Sequence, residues 1–215
     1  ETEVCDSYCS TMAFTTNPSA PRMRLTSSTA TFPSPIFPTS WLRKAAKADL
    51  GAVHYCARMT RRPVTKWFAI TISKLGNGWI YLMLAPALAL DMGWRALPII
   101  ISALINAALL HLVYPMMKRR FRRRRPYHAD PRLTSLLQTL DEHSFPSGHV
   151  MTLTGVLLPI ILALPAARAP ALGLLLGMAW SRMATAHHYP SDVIAGVVIG
   201  AMLAFPLTRW VMAFC

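Results

Sequence analysis

Acidic residues are scarce in this 215-residue chain: nine Asp and Glu stand against 22 Lys and Arg, a formal net charge of +13. Charge of either sign is thin, at 14% of residues, where an average soluble domain carries about 25%. No acidic cluster is present to hold Mg2+, and no Cys/His set has zinc spacing. Cysteine is also sparse. Four in 215 residues are too few for a disulfide scaffold. Cys5 and Cys9 form a lone C-x3-C in a polar tail, Cys56 lies in a mixed segment and Cys215 ends the chain, so none is expected to have a structural or redox role. Apolar side chains are abundant, at 53%. A disordered chain would be far less apolar, and a soluble nucleic-acid binder is rarely so greasy. A basic integral membrane protein remains.

Half of residues 1–40 are Ser, Thr or Pro, a composition that cannot bury enough apolar surface to order itself. With no basic stretch leading into an apolar run, the segment is not a secretory signal. Its Ser, Thr and Arg content from Met23 onward faintly resembles an organelle transit peptide, but a disordered tail without assigned function is the simpler reading. Trp41 to Met59 reads as an amphipathic helix: Leu42, Ala46, Leu50, Val53 and Ala57 recur every three or four residues, and Arg43, Lys44 and Lys47 fall elsewhere. Such a helix suits a membrane surface, or packing on the rest of the protein. The expected domains are therefore a tail (1–40), a surface helix (41–62) and a transmembrane domain (63–215). Five apolar segments fill that domain: Trp67 to Leu90 (interrupted by Lys74, Gly76, Asn77 and Gly78), Ala96 to Met117, Val150 to Ala167, Ala169 to Ala186 and Val193 to Phe214. The connectors at Asp91 to Arg95 and around Arg168 are short enough for antiparallel hairpins. The predicted fold is all-α, an integral membrane bundle of five to six transmembrane helices.

Three polar clusters interrupt the bundle. Lys118 to Pro126, an Arg-rich run, follows the second span. Ser144 to His149 precedes the third, and Ser181 to Asp192 joins the fourth and fifth. Counting spans puts all three at one membrane face, so one site can be built from them. Lys118, Arg125 and Arg182 offer permanent cations, and Arg grips phosphate oxygens in a fork. Ser147 and Gly148 place a hydroxyl and a backbone N–H at the positive end of a helix. His188 has Asp192 four residues on; a carboxylate bonded to one imidazole nitrogen fixes the tautomer and frees the other to attack. His149 can protonate a leaving oxygen and later take a proton from water. These parts suit phosphoryl transfer through a phosphohistidine, without metal or cofactor.

K-x6-R-P at 118–126, P-S-G-H at 146–149 and S-R-x5-H-x3-D at 181–192 resemble, at every defining position and in order, the three motifs of the type 2 phosphatidic acid phosphatase superfamily. The resemblance covers roughly residues 64–214. It implies a helical core of the acid phosphatase–haloperoxidase kind, commonly six spans in membrane members, and hydrolysis of lipid phosphates or polyprenyl diphosphates. By position it implies His188 as nucleophile, Asp192 as its orienting partner and His149 as general acid then base. Lys118, Arg125, Ser147, Gly148 and Arg182 would hold the phosphate.

Outside the motifs the expectations are plainer. His187 lacks the x3-D partner and is a wall residue. His128 and His143 are solvated in a loop, and His54 and His111 are structural. Arg119, Arg120, Arg122, Arg123 and Arg124 form a basic loop, able also to attract anionic lipid headgroups. Asp130, Arg132, Asp141 and Glu142 are loop or headgroup-contacting residues, and Ser144 at most caps a turn. Arg58, Arg61, Arg62, Lys66 and the 118–125 run share the motif side, against Arg95 and Arg168 opposite, so the positive-inside rule favours the cytoplasm. The resemblance to enzymes that recycle lipid carriers favours the outer face, and the face is left open. The expected partners are a lipid phosphate and a bilayer with anionic lipids of an inner or plasma membrane, not nucleic acid. The oligomeric state is left open. Two other functions fit parts of the sequence: a non-enzymatic binder of lipid headgroups, which uses the Arg run but not His149, His188 and Asp192, and a vanadate-dependent haloperoxidase-like enzyme.

Overall fold

The computed structural model describes residues 39–139 and 141–214. The Ser/Thr/Pro-rich tail up to residue 38, with Cys5, Cys9 and the transit-peptide-like stretch, lies outside the described residues, as does Cys215. The described residues fold into helices α1 (Thr39–Met59), α2 (Pro63–Leu75), α3 (Trp79–Met92), α4 (Leu97–Phe121), the single turn α5 (Pro126–Ala129), α6 (Gly148–Ala163), α7 (Arg168–Ala184) and α8 (Pro190–Phe214). Among them there is no strand, only an isolated bridge between Arg124 and His143.

The first apolar segment, Trp67 to Leu90, is two helices, parted at the interruption that its sequence shows. The chain breaks at Gly76-Asn77-Gly78, where Gly78 takes φ 121°, a conformation that expels most side-chain-bearing residues. The halves α2 and α3 part there. α2 is tied to α7, with Ser181 Oγ donating to the Ala69 carbonyl (2.7 Å), while α3 faces α4 and α6 across an apolar cleft. The other four apolar segments are α4, α6, α7 and α8, shifted at their ends by a few residues.

A core of Ile99, Val150, Leu153, Leu157, Ile160 and Met178 fills the space between helices. The closest approach is between α6 and α8. A Cβ on Gly196 would come within 2.9 Å of the Ser147 carbonyl oxygen, and one on Gly200 within 2.6 Å of that of Met151. Four residues apart, the two glycines form the small-xxx-small face that lets membrane helices pack backbone to backbone. At mid-bundle, buried Asn106 of α4 donates to the Gly155 carbonyl (2.9 Å) and to Thr208 Oγ1 (2.8 Å), linking α4, α6 and α8. The outer faces stay apolar, with Leu82, Leu104, Leu112, Leu176 and Met202 all well exposed. Among the described residues, two helical stretches are long and apolar enough to cross a membrane, Trp79–Phe121 and Pro190–Phe214.

α4 and α7 end, and α6 and α8 begin, at the same end of the bundle, so the three polar clusters meet as the connectivity required. α1 packs there too. Its Val53 is fully buried against Leu133, Ala186 and Tyr189, and its Arg43, Lys44 and Lys47 face outward. The helix is amphipathic as expected, and its inner face meets protein.

Candidate active site

α4 stops where Arg122 enters the left-handed region at φ 48° and its N–H closes on the Lys118 carbonyl (3.0 Å). That reversal turns the following arginines back over the end of the bundle. The strand-like segment they form is pinned to the second motif by Ser144 N–H donating to the Arg123 carbonyl (2.8 Å).

Lys118 and Arg125 are both buried, and both reach the same carboxylate. Lys118 Nζ donates to Asp141 Oδ2 (2.8 Å), and Arg125 donates to Asp141 Oδ1 (2.7 Å) and to the Asp141 carbonyl (3.0 Å). A third Arg125 bond goes to the His187 carbonyl (3.1 Å). Asp141, expected to be a loop or headgroup-contacting residue, sits between the two cations of the first motif. Burial opposes its charge, but Lys118 and Arg125 outweigh that and hold its carboxyl below the usual range. Arg182, also buried, donates to Ser73 Oγ of α2, while its Nε has no protein partner. Ser147 Oγ is likewise buried without a partner. Arg182 and Ser147 thus keep hydrogen-bonding capacity to spare. The Ser147 N–H does not, because it donates to the Asp192 carbonyl (3.1 Å). At the start of α6 the next backbone N–H is that of Gly148.

His188 is 1% exposed. Its Nδ1 lies 2.7 Å from the Ser144 carbonyl oxygen and 3.8 Å from Asp192 Oδ2. The direct hydrogen bond is thus made to a backbone carbonyl, with the carboxylate behind it at ion-pair distance. This differs from the direct carboxylate bond expected, although the result for the ring is the same: Nδ1 carries the proton and Nε2 the lone pair. Burial, then Arg182, Arg125 and Lys118, hold the His188 imidazole well below its ordinary pKa, so it stays neutral. His149 Nε2 lies 2.7 Å from Asn77 Oδ1, so the helix break delivers a partner to that histidine.

Other residues sort by their partners. His187 Nε2 meets Ser135 Oγ (2.8 Å) and the Leu137 carbonyl (3.1 Å), and burial with Arg182 and Arg125 lowers its pKa to about 3. His54 of α1 meets Asp130 (2.9 Å), which also holds Arg132. His111 contacts only its own helix, through the Ala107 carbonyl. Arg119, Arg120, Arg122 and Arg124 are exposed. Arg123 is not like them: it reaches Asp192 Oδ1 (2.7 Å) and Asp49 Oδ2 (2.7 Å). Residue types alone gave no signal for the Ser144 carbonyl, Asn77, Arg123 or Asp49. The only hint was the polar break around Asn77 in an apolar run. Among the described residues, no three His, Cys, Asp or Glu side chains converge as a metal site.

The profile of the PAP2 superfamily matches residues 96–214. Over 134 residues the chain is 34% identical to a decaprenylphosphoryl-5-phosphoribose phosphatase of Mycobacterium tuberculosis; the match covers 58% of this chain and 66% of that protein, just under two thirds of its length. It is 36% identical over 145 residues to a protein of the same description from Mycolicibacterium smegmatis, covering 65% of this chain and 76% of the relative. The fold is similar to the crystal structure of a transmembrane PAP2 type phosphatidylglycerolphosphate phosphatase from Bacillus subtilis. The TM-score is 0.60 at 21% identity, over 78% of this chain and 86% of that one.

Proposed function

The chain belongs to the PAP2 superfamily, and from that membership and the site geometry we propose that it is a membrane phosphatase removing a phosphate from a lipid-linked headgroup. The observation that carries this reading is His188, neutral and buried, with Nδ1 held by the Ser144 carbonyl beside the cations Lys118, Arg125 and Arg182. In the proposed reaction Nε2 of His188 attacks phosphorus. The bond from phosphorus to the lipid oxygen breaks, and His149 gives that oxygen a proton. Positive charge appears on the imidazole as it is phosphorylated, and Asp192 offsets it. Water then attacks the phosphohistidine while His149 takes its proton, releasing inorganic phosphate and restoring both histidines. The cations, Ser147 Oγ and the Gly148 N–H hold the equatorial oxygens, where charge builds in the transition state.

Two cavities suit such a substrate. An open one of about 500 Å3 is lined by Tyr127, Ser135, Gln138 and Thr139 on the loop that His187 holds, and its polar groups fit a hydroxyl-bearing headgroup. An apolar cleft between α3, α4 and α6, lined by Tyr81, Leu84, Leu88, Ile100 and Leu104, fits a hydrocarbon tail. α3, α4, α6, α7 and α8 are taken as five spans, with α1 at the surface. The basic loops at the site end support a cytoplasmic orientation for it. Anionic lipids there would face the exposed arginines of the 119–124 run.

The test is phosphate release in detergent micelles with excess EDTA, from phosphatidate, a polyprenyl diphosphate and a prenyl-linked sugar phosphate, with His188→Ala alongside. Release that resists EDTA and falls by at least about a thousandfold in the variant supports a histidine nucleophile. EDTA-sensitive release, or a fully active His188→Ala, overturns it.

A further inference from the structure

Asp192 is completely buried, and a buried carboxylate needs partners for both oxygens. Oδ2 accepts the Tyr189 N–H (2.9 Å) and faces His188 Nδ1 at 3.8 Å. Oδ1 accepts from Arg123, two residues before the Arg125 of the first motif (2.7 Å). The same guanidinium nitrogen donates to Ser191 Oγ (2.6 Å), the other Nη donates to Asp49 Oδ2 (2.7 Å), and the guanidinium carbon lies 3.9 Å from the Tyr189 ring centroid. Asp49 comes from α1 and also accepts the Ser191 N–H (3.0 Å) and the Ser191 hydroxyl. An arginine so engaged is not a free surface cation. Burial opposes its charge, and Asp192 and Asp49 outweigh that opposition.

The arrangement carries an electrostatic consequence. An arginine bonded to Asp192 alone would cancel the carboxylate charge that must offset the cationic phosphohistidine. Asp49, on the far side of the guanidinium, balances Arg123, so Asp192 keeps its net negative charge toward His188 while staying fixed in place. We propose that Arg123 and Asp49 are positioning residues, a relay through which α1 sets the orientation and effective charge of Asp192 behind His188. This rests on the phosphatase reading above. It also gives α1 a task beyond covering the bundle end: the site is complete only with that helix docked.

The experiment uses the full chain in detergent micelles with phosphatidate, and reads kcat, KM and the thermal midpoint together. Arg123→Met is expected to lower kcat by at least about tenfold with KM within about twofold. Arg123→Lys should recover part of the loss, and Asp49→Asn should fall between, its midpoint near that of the wild type. In an Asp192→Asn background, Arg123→Met should cost less than about twofold more, because the group it acts through is already gone. Equal losses in both backgrounds would overturn the relay. So would a raised KM with unchanged kcat, the mark of a loop that only attracts anionic lipid, or a kcat loss in Asp49→Asn that merely follows a fallen midpoint. A fully active His188→Ala would bring down the phosphatase reading itself. An inactive His188→Ala beside a fully active Arg123→Met would remove the relay alone.

Discussion

His187 and His188 are adjacent and equally buried, yet their partners give them different work. His188 turns one nitrogen to the Ser144 carbonyl and keeps the other for chemistry, while His187 spends its Nε2 on the 135–137 loop. Both are held neutral in the folded state, His187 with a pKa near 3. In the unfolded chain a histidine takes up its proton near pH 6.5. The unfolded state therefore binds more protons below that pH, so stability is full above about pH 6.5 and is lost as pH falls. For His187 the loss is about 1.4 kcal/mol per pH unit until its folded pKa is reached. Thermal melts in detergent between pH 7.5 and 5 should show a falling midpoint, and His187→Gln should flatten the slope. A second expectation concerns Asp141, whose carboxylate is bonded by two proposed phosphate ligands. Substrate phosphate must displace it or share those cations. Asp141→Asn should lower the inhibition constant of inorganic phosphate severalfold, since a neutral amide competes poorly for Lys and Arg. An unchanged or raised constant would mean that Asp141 supports the cradle.

At the level of elements, the interruption in the first apolar segment places Asn77 against His149. Gly76 is needed there as well, since a Cβ on it would lie 2.8 Å from His149 Cδ2 and 2.5 Å from the Met178 methyl. Asn77→Ala should lower kcat most for poor leaving groups, which depend most on protonation by His149. Equal losses on alkyl and aryl phosphates would count against that role. The α6–α8 contact makes a sharper demand. A side chain at Gly200 meets backbone that cannot rotate away, so Gly200→Val should force the two helices apart, cost about 1–3 kcal/mol, and disturb Ser147, His149 and Asp192 together. Gly173 of α7 has open space around it, and Gly173→Ala should leave activity unchanged and hold or slightly raise the melting midpoint.

For the whole molecule, exposed Trp67 and Trp79 lie toward the site end and exposed Trp94 and Trp210 toward the opposite end, the distribution expected of aromatic belts at two interfaces. α4, at 25 residues, runs about 37 Å and bridges those belts. Orientation can be read by labelling single cysteines in a chain otherwise free of cysteine. With the site in the cytoplasm, Arg95→Cys should react with an impermeant maleimide on intact cells and Glu142→Cys only after permeabilisation. The reverse pattern would put the site outside.

The helical membrane character, the end of the bundle where the polar clusters meet and the family were all legible in the linear chain. Apolar run length, the parity of spans and the spacing of His188 and Asp192 are properties of the linear chain. Tertiary structure decided which groups touch. The Ser144 carbonyl at His188 is backbone, identical in every residue type, so no side-chain pattern announces it. Asp141 in the cradle, Asn77 at His149 and Asp49 on Arg123 are contacts across 23, 72 and 74 residues. Within one Arg-rich run, five of the arginines read alike as a basic loop. Only the left-handed turn at Arg122 and the docking of α1 single out Arg123, because burial and opposing carboxylates, not residue type, assign a cation its work.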